Sequence, residues 1–151
     1  MKISIQNEDF DIAAEVARLR ADNPESGAVV TFSGLVRDME QDRRVQSLVL
    51  EHYPGMTESS LEQIIHQAEG RWPLLDITVI HRVGELVAGE QIVFVAVASL
   101  HRQDAFAACE FIMDYLKTRA PFWKKCRDEN GESWVVAKQT DTDASERWEQ
   151  P

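Results

Sequence analysis

The chain has 151 residues, with 26 acidic and 16 basic side chains and a formal net charge of −10. This length fits one domain, residues 1–151, and the excess of negative charge disfavours binding to nucleic acid or an anionic membrane. Two cysteines, the lack of an apolar signal-peptide run and the lack of about 18 consecutive apolar residues favour a cytoplasmic protein over a disulfide scaffold, a secreted protein or a membrane span.

Hydrophobic periodicity predicts helices and strands in the order α-β-β-α-β-β-α-β-β. The predicted helices cover residues 9–21, residues 58–71 with an N-cap at Thr57, and residues 100–119 with a cap at Ser99. The predicted strands are Gly27–Val36, Ser47–Tyr53, Asp76–Arg82, Gln91–Ala98, Phe122–Arg127 and Ser133–Ala137. Residues 38–44 are predicted to form a charged loop. The acidic tail from about 138 to 151 is predicted to be flexible, although Trp148 indicates docking near its end.

These elements indicate a mixed α+β fold with a mainly antiparallel sheet and flanking helices, because the strands follow one another in adjacent pairs. The segment Gln91–Ala98 is nearly all apolar, which is typical of a central strand covered on both faces. The long helix carries an apolar stripe that we expect to be buried, consisting of Phe106, Cys109, Met113 and Leu116. No glycine-rich phosphate loop follows a strand, so a Rossmann or P-loop nucleotide site is disfavoured.

Neither a metal site nor a bound cofactor is indicated by the sequence. The four histidines are far apart, and the two cysteines lack C-x-x-C spacing. Cys109 lies on the apolar helix stripe, where it acts as a small hydrophobic residue. Cys126 follows two lysines, which favour its thiolate form, so a thiol nucleophile is a minor alternative.

Basic residues are concentrated in one segment of this acidic chain. From His101 to Arg127, six Lys or Arg residues accompany three acidic ones, so this segment carries +3 while the remainder carries −13. A confined basic segment favours a small anionic ligand over a long polyanion. The pair His101-Arg102 at its start, together with Arg37 at the end of a strand, offers donors for a phosphate. The alternative is a solvated helix face with ordinary charge fluctuation.

A proline elbow in this segment can bring two lysines together. Lys117 lies in the last predicted helical turn, Pro121 ends the helix, and Lys124 follows on the next strand. Two neighbouring ammonium groups lower each other's pKa, which favours proton transfer or attack on a carbonyl by a neutral amine. The alternative assigns these lysines to the helix C-terminus and to the protein surface.

Five segments of the chain resemble the MoaE family, the catalytic large subunits of molybdopterin synthase. They are GAVVTFSGLVR (27–37), LEHYPGMTE (50–58), VIHRVGELVAGE (79–90), VFVAVASLHR (93–102) and FIMDYLKTRAPFWKK (111–125). They follow the order of the family and span most of the chain. The combination of YPGM, HRxGxxxxGE and DYLKxxAPFWK is long and unusual, so the resemblance is specific.

The resemblance implies an α/β-hammerhead-type fold and a sulfurtransferase activity in molybdenum cofactor biosynthesis. The implied substrate is cyclic pyranopterin monophosphate (precursor Z), which receives two sulfur atoms as a dithiolene and becomes molybdopterin. The implied sulfur donor is the C-terminal Gly-Gly thiocarboxylate of a small ubiquitin-like carrier, the MoaD-type subunit. A homodimer of large subunits, each with one carrier bound, would form a heterotetramer.

The resemblance also implies roles for individual residues. Lys117 corresponds to the principal catalytic lysine near the glycine tail of the carrier, and Lys124 corresponds to a second lysine for substrate binding and proton transfer. The implied substrate contacts are Leu35, Val36 and Arg37 at a strand end, His101 and Arg102 at a phosphate position that can lie across the dimer interface, Phe32 and Met113 as pocket walls, and the backbone of Lys125 and Cys126. Leu35 stands where some relatives carry a basic residue, and Cys126 is not a residue that the family reaction requires.

Sulfur transfer is the leading hypothesis, and two alternatives remain open at this point. A non-catalytic dimeric scaffold of the same fold would bind a ubiquitin-like tail, but it has no use for this set of lysines and phosphate donors. A phosphoester hydrolase would use the basic pocket, but the sequence offers neither a metal-ligand cluster nor a pair of nucleophile and base.

Overall fold

The computed structural model of the chain describes residues 1–40, 42–135 and 138–149. Within these ranges, ten strands occupy Lys2–Gln6 (β1), Ala28–Leu35 (β2), Met39–Glu40 (β3), Arg43–Arg44 (β4), Ser47–His52 (β5), Leu74–Arg82 (β6), Gly84–Leu86 (β7), Gln91–Ser99 (β8), Phe122–Asp128 (β9) and Gly131–Trp134 (β10). Four helices occupy Ile12–Asp22 (α1), Met56–Arg71 (α2), Arg102–Arg119 (α3) and Gln139–Glu146 (α4), and a 3₁₀ turn covers Arg147–Glu149. The mixed α+β class is confirmed.

The first sheet has the strand order β1-β6-β8-β2. Strand β1 runs parallel to β6, whereas the β6–β8 and β8–β2 pairs are antiparallel. Strand β8 lies at the centre, and its residues from Ile92 to Ser99 are buried. This confirms the central position that its continuous apolar sequence predicts.

The second sheet has the order β10-β9-β5-β7 and is antiparallel throughout. A separate two-stranded hairpin, β3-β4, lies within the segment predicted to be a charged loop. Of the last predicted strand, Ser133–Ala137, the structure confirms strand only to Trp134, and residues 136 and 137 lie outside the described part.

Helix α3 packs against the first sheet through a face that includes Cys109, Met113 and Leu116, all of which are buried. The prediction for Phe106 is wrong, because this side chain is 61% exposed. On an ideal helix Phe106 lies within about 20° of the direction of Met113. The described part of this protomer therefore leaves Phe106, the first residue of the apolar stripe, largely uncovered.

Both predicted helix caps are wrong. Helix α2 begins at Met56 after Gly55, whose φ of 85° suits glycine, and the Glu58 carboxylate accepts a hydrogen bond from the Gly55 N–H. The Thr57 hydroxyl instead accepts from the Tyr53 N–H at 2.9 Å and donates to the Pro121 carbonyl at 3.0 Å.

Ser99 does not cap α3, because the helix begins at Arg102 with His101 in the N-cap position. The Ser99 hydroxyl donates to the Pro73 carbonyl at 3.2 Å, so it joins the end of β8 to the start of β6.

The acidic C-terminal segment forms α4 and the 3₁₀ turn within its described part, and the flexibility expected of the tail stays a prediction. Helix α4 packs against α3. The Trp148 ring meets Trp72 and Phe111 at centroid distances of 5.7 and 5.5 Å, and its indole N–H donates to Asp114 at 2.7 Å. The docking that Trp148 indicates is confirmed. Residues 150 and 151 of the predicted tail lie outside the described part.

Within the described ranges, no helix combines the length and the apolar character needed to cross a bilayer.

Candidate active site

A cavity of about 510 Å³ opens where the two large sheets meet the C-terminal end of α3. Its walls come from both sheets, from the β3-β4 hairpin and from the start of α4. They comprise Phe32, Gly34, Leu35, Arg37, Glu40, Leu48, His81, Ile92, Val93, Leu116, Lys117, Ala120, Phe122, Trp123, Lys124, Trp134, Val135, Lys138 and Asp141. This volume lies within the range of small-molecule sites.

The alternation of side chains along β9 turns Lys124 into this cavity. Residues 122, 124 and 126 project from one face of the strand, and Lys124 pairs with Leu50 on β5. Lys125 projects from the opposite face, where its ammonium lies 4.5 Å from the centre of the Trp134 ring. Only the first of these two adjacent lysines lines the cavity.

Lys117 reaches the same cavity from the last turn of α3. The helix ends at Arg119, and Ala120 takes the extended conformation that a following proline demands. Burial lowers the pKa of Lys124 to about 8, and the charge of Lys117 and a hydrogen bond with it add to this effect, whereas Glu40 and Asp141 oppose it. The elbow therefore places two lysines together, as its sequence predicts, and one of them exchanges protons near neutral pH.

The imidazole of His81 forms part of the cavity wall beneath these lysines. It is buried on β6 and stacks on Phe122 with a centroid distance of 3.8 Å. Burial lowers the pKa of His81 to about 3, and the positive charges of Lys124 and Lys117 act in the same direction. This side chain is therefore neutral at physiological pH.

Arg37 lies between β2 and β3, and Glu40 lies on β3, the first strand of the β3-β4 hairpin. Their side chains form an ion pair at 3.3 Å in which Arg37 is exposed and Glu40 is largely buried. The cavity thus holds a guanidinium that can bind an anion, and this group is paired with a carboxylate that a phosphate can replace.

The structure brings five of the eleven expected site residues to the cavity. These are Phe32, Leu35, Arg37, Lys117 and Lys124. Val36, Met113 and Cys126 are buried outside its lining, and Lys125 projects away from it. The roles assigned to all eleven stay predictions.

His101 and Arg102 lie at the opposite end of α3 and are exposed. Lys117 lies sixteen positions after His101 along α3, which corresponds to roughly 24 Å at 1.5 Å per residue. Neither residue lines the cavity of its own chain. Proximity within the basic segment therefore does not mean proximity in space.

Sequence reasoning missed several residues of the cavity, notably Glu40, His81, Trp134 and Lys138. Glu40 lies in a segment without periodicity, so nothing in the sequence indicates its direction. His81 lies on a strand that the sequence predicted. The alternation of side chains along that strand, together with the HR motif at its end, is the signal that could have identified it.

Thiol and metal chemistry receive no support from the described residues. Burial raises the pKa of the Cys109 thiol to about 12 and also raises the pKa of Cys126, which disfavours a thiolate nucleophile. In the described part of the chain, no three His, Cys, Asp or Glu side chains converge as metal ligands.

Comparison with known proteins agrees with the resemblance seen in the motifs. The family model described as "MoaE protein" matches residues 5–119. The molybdopterin synthase catalytic subunit of Vibrio cholerae is 54% identical over 148 residues, which cover 98% of each chain. The solved molybdopterin biosynthesis MoaE protein of Burkholderia ambifaria is 54% identical, covers 99% of both chains and superposes with a TM-score of 0.85.

A more distant relative has the same fold. The crystal structure of molybdopterin synthase from Staphylococcus aureus is 33% identical, covers 89% of this chain and 96% of that one, and gives a TM-score of 0.78. On the family model, the full-length relatives and the shared fold, this chain belongs to the MoaE family.

Proposed function

We propose that the chain is the catalytic subunit of a molybdopterin synthase, which converts cyclic pyranopterin monophosphate into molybdopterin. The observation that carries this proposal is the pair Lys117 and Lys124 at one end of a cavity in a chain of the MoaE family. Sulfur would come from the C-terminal Gly-Gly thiocarboxylate of a small ubiquitin-like carrier. The word "subunit" in the names of the relatives agrees with such a partner.

The two lysines fit different parts of this reaction. Lys117 lies at the exposed edge of the cavity, where its ammonium can neutralise the thiocarboxylate and the negative charge that develops on its carbonyl oxygen. Lys124 lies deeper and has a pKa of about 8, so it can give and take protons as carbon–sulfur bonds form and the acyl–sulfur bond is hydrolysed.

The substrate phosphate needs cationic donors, and Arg37 supplies one in the cavity. The expected second group, His101-Arg102, lies too far along α3 to act on the same substrate from the same chain. A homodimer in which a second copy brings this pair to the cavity is therefore part of the proposal.

Exposed apolar side chains support such a dimer. Phe32 and Leu35 lie exposed on β2, which is an edge strand, and Leu100 and Phe106 lie exposed around the start of α3. Apolar side chains at these positions are typical of a surface that another chain covers. With one carrier on each large subunit, the assembly would be a heterotetramer.

We also propose a cytoplasmic location. Cys109 and Cys126 are both unpaired, as is usual for proteins of a reducing compartment.

The test of the function is product formation with purified components. The chain is mixed with the thiocarboxylated carrier and the pyranopterin monophosphate, and the dithiolene product is measured by mass spectrometry. Lys117→Ala should nearly abolish the product while circular dichroism stays unchanged. Arg119→Ala is the matched control, because it removes a cation of the same helical turn that stacks on Tyr115 outside the cavity lining.

Three results would contradict the proposal. Product at the normal rate in Lys117→Ala would remove the role of this lysine. Carrier binding without any dithiolene would favour a scaffold. Phosphate release from simple esters, independent of the carrier, would favour a hydrolase.

A further inference from the structure

His81 is the buried polar side chain of the cavity to which neither the sequence nor the family resemblance gives a role. It is 4% exposed, and one face of its ring stacks on Phe122 at an interplanar angle of 16°. The side chain nevertheless lines the cavity. A buried imidazole in such a position is expected to have a hydrogen-bond partner for each of its two nitrogens.

The structure fixes the tautomer of this imidazole. Its Nδ1 lies 2.8 Å from the backbone carbonyl oxygen of Arg82. A carbonyl oxygen only accepts hydrogen bonds, so Nδ1 carries the hydrogen and Nε2 carries a lone pair. Among the residues that the structure describes, none donates a hydrogen bond to Nε2. The ring therefore offers an unused acceptor at the cavity wall.

Lys124 is the donor that the backbone places beside this acceptor. Phe122 and Lys124 are two residues apart on β9 and project from the same face, about 6.6 Å from each other along the strand. An imidazole that stacks on Phe122 thus lies within reach of the four-carbon side chain of Lys124. The charges of Lys124 and Lys117 both act on His81, and the effect of Lys124 is the larger one.

Other charged groups also face Lys124, from several elements. Lys117 approaches from α3, Glu40 from β3 and Asp141 from α4, while Arg37 and Lys138 complete the charged lining. A further carboxylate next to Lys124 would add to the negative charge of Glu40 and Asp141 and repel an anionic substrate. A neutral acceptor orients the amine without adding negative charge.

We propose that His81 is a positioning residue: when the Lys124 side chain turns towards it, its Nε2, which has no donor among the described residues of the protein, accepts a hydrogen bond from Nζ and holds this nitrogen at the inner end of the cavity. The importance of this contact for turnover rests on the proposed function, whereas the contact itself does not. Because a lone pair binds an ammonium better than an amine, the contact favours the protonated form of Lys124.

The first experiment measures the titration of Lys124 by NMR in protein labelled at the lysine side chains. His81→Phe keeps a ring on Phe122 but removes the acceptor, and it should lower the pKa of Lys124 by about 0.5 to 1. His81→Gln supplies an amide oxygen and should restore most of this loss. His66→Phe, at an exposed histidine, is the matched control and should leave Lys124 as it is. An unchanged Lys124 pKa in His81→Phe overturns the proposal.

The second experiment needs no substitution at His81 and covers the case in which the His81 variants fail to fold. Imidazole ¹⁵N shifts of the wild-type protein should show hydrogen on Nδ1 and a hydrogen-bonded lone pair on Nε2. In Lys124→Met the Nε2 signal should move downfield to the position of a free lone pair. Hydrogen on Nε2, or an Nε2 signal that ignores Lys124→Met, overturns the proposal.

The third experiment separates this inference from the proposed function. In the complete synthase reaction, the acidic limb of the pH–rate profile should shift down in His81→Phe by the same amount as the pKa of Lys124, and His81→Gln should shift it back. If the pKa of Lys124 shifts but the acidic limb of the pH–rate profile does not, the role of the contact in turnover is overturned. If the wild-type chain forms no product, the proposed function fails, and the NMR results still decide the contact.

Discussion

The two faces of strand β9 carry the same side chain in two different environments. On the inner face, Lys124 lies in the cavity near Lys117 and in line with Phe122. On the outer face, Lys125 places its ammonium over the Trp134 ring, and its neighbour Trp123 is also exposed. The two lysines are consecutive in sequence, and only the pleat of the strand separates them.

This difference shows that position relative to the sheet, rather than residue type, sets the chemistry of a lysine here. Burial and the charge of Lys117 bring the pKa of Lys124 to about 8. The ammonium of the outer lysine instead lies over an aromatic ring, which is a stabilising arrangement and not a reactive one.

The largest expected effect is on catalysis. Lys124→Ala should lower the rate of dithiolene formation about a thousandfold because it removes a group that transfers protons. Lys125→Ala should change the rate less than about threefold, since only its backbone is expected near the substrate and Ala keeps that backbone. Single-turnover assays with the thiocarboxylated carrier measure both. Equal losses in the two variants would break the distinction between the faces.

A second effect concerns the pH dependence of stability. His81, which packs on the inner face of β9, has a pKa of about 3 in the folded chain against 6.5 for the free side chain. Between these values the unfolded chain binds a proton that the folded chain does not, so this contribution to stability is complete above pH 6.5 and is lost as the pH falls towards 3.

Removal of His81 should therefore make the free energy of unfolding fall less steeply as the pH decreases below 6.5. In reversible urea unfolding, the decrease in the free energy of unfolding between pH 7 and pH 4 should be about 2–3 kcal/mol smaller in His81→Phe than in the wild type. The exposed His66 provides the control substitution His66→Phe. An identical acid-induced loss in His81→Phe and the wild type would show that this imidazole protonates freely.

A third effect is a gain in stability when the inner lysine is removed. Lys124→Met should raise the free energy of unfolding by about 1–3 kcal/mol at pH 7, because the folded chain then no longer holds a poorly solvated charge. The gain should shrink as the pH rises from 8, where the wild-type lysine loses its proton in the folded chain, to 10.5, where it loses its proton in the unfolded chain. A destabilised Lys124→Met protein at pH 7 would mean that Lys124 contributes packing or contacts worth more than its desolvation costs.

The smallest effect is expected on the outer face. Lys125→Met should lower the free energy of unfolding by about 0.5–1 kcal/mol through loss of the interaction with Trp134. Denaturation of the double variant with Trp134→Leu tests this, since the two losses should not add. Full additivity would mean that the ring and the ammonium do not interact.

Local sequence patterns predicted the elements that depend on local rules. The apolar run of β8 and the proline that ends α3 each follow from a few neighbouring residues. Strand β1 is short, and its partner β6 lies more than 60 residues away, so its formation depends on a pairing that periodicity cannot show. Helix α4 is weakly apolar. The Trp148 ring, just after this helix, packs against Phe111 of α3 and holds the segment in place, which is again a tertiary effect.

The candidate site divides in the same way. The lysine elbow was predictable because Lys117, Pro121 and Lys124 lie within one short segment whose geometry is local. His81 and Glu40 reach the cavity only through the packing of two sheets and a hairpin. The separation of His101 from Lys117 by the length of α3 was also hidden, because chain proximity and charge density make them look like one cluster.

The hydroxyl of Thr57 lies far from the lysine pair in the sequence but helps to set the positions of the two lysines. It accepts a hydrogen bond from Tyr53 and donates one to the carbonyl of Pro121, the residue that separates Lys117 from Lys124. A methyl group could fill the same space but could not bridge the two backbones. The spacing of the reactive nitrogens is thus tied to a turn that touches neither of them. A redesign of this pocket for another acyl carrier would have to retain the YPGMT segment as firmly as the lysines themselves.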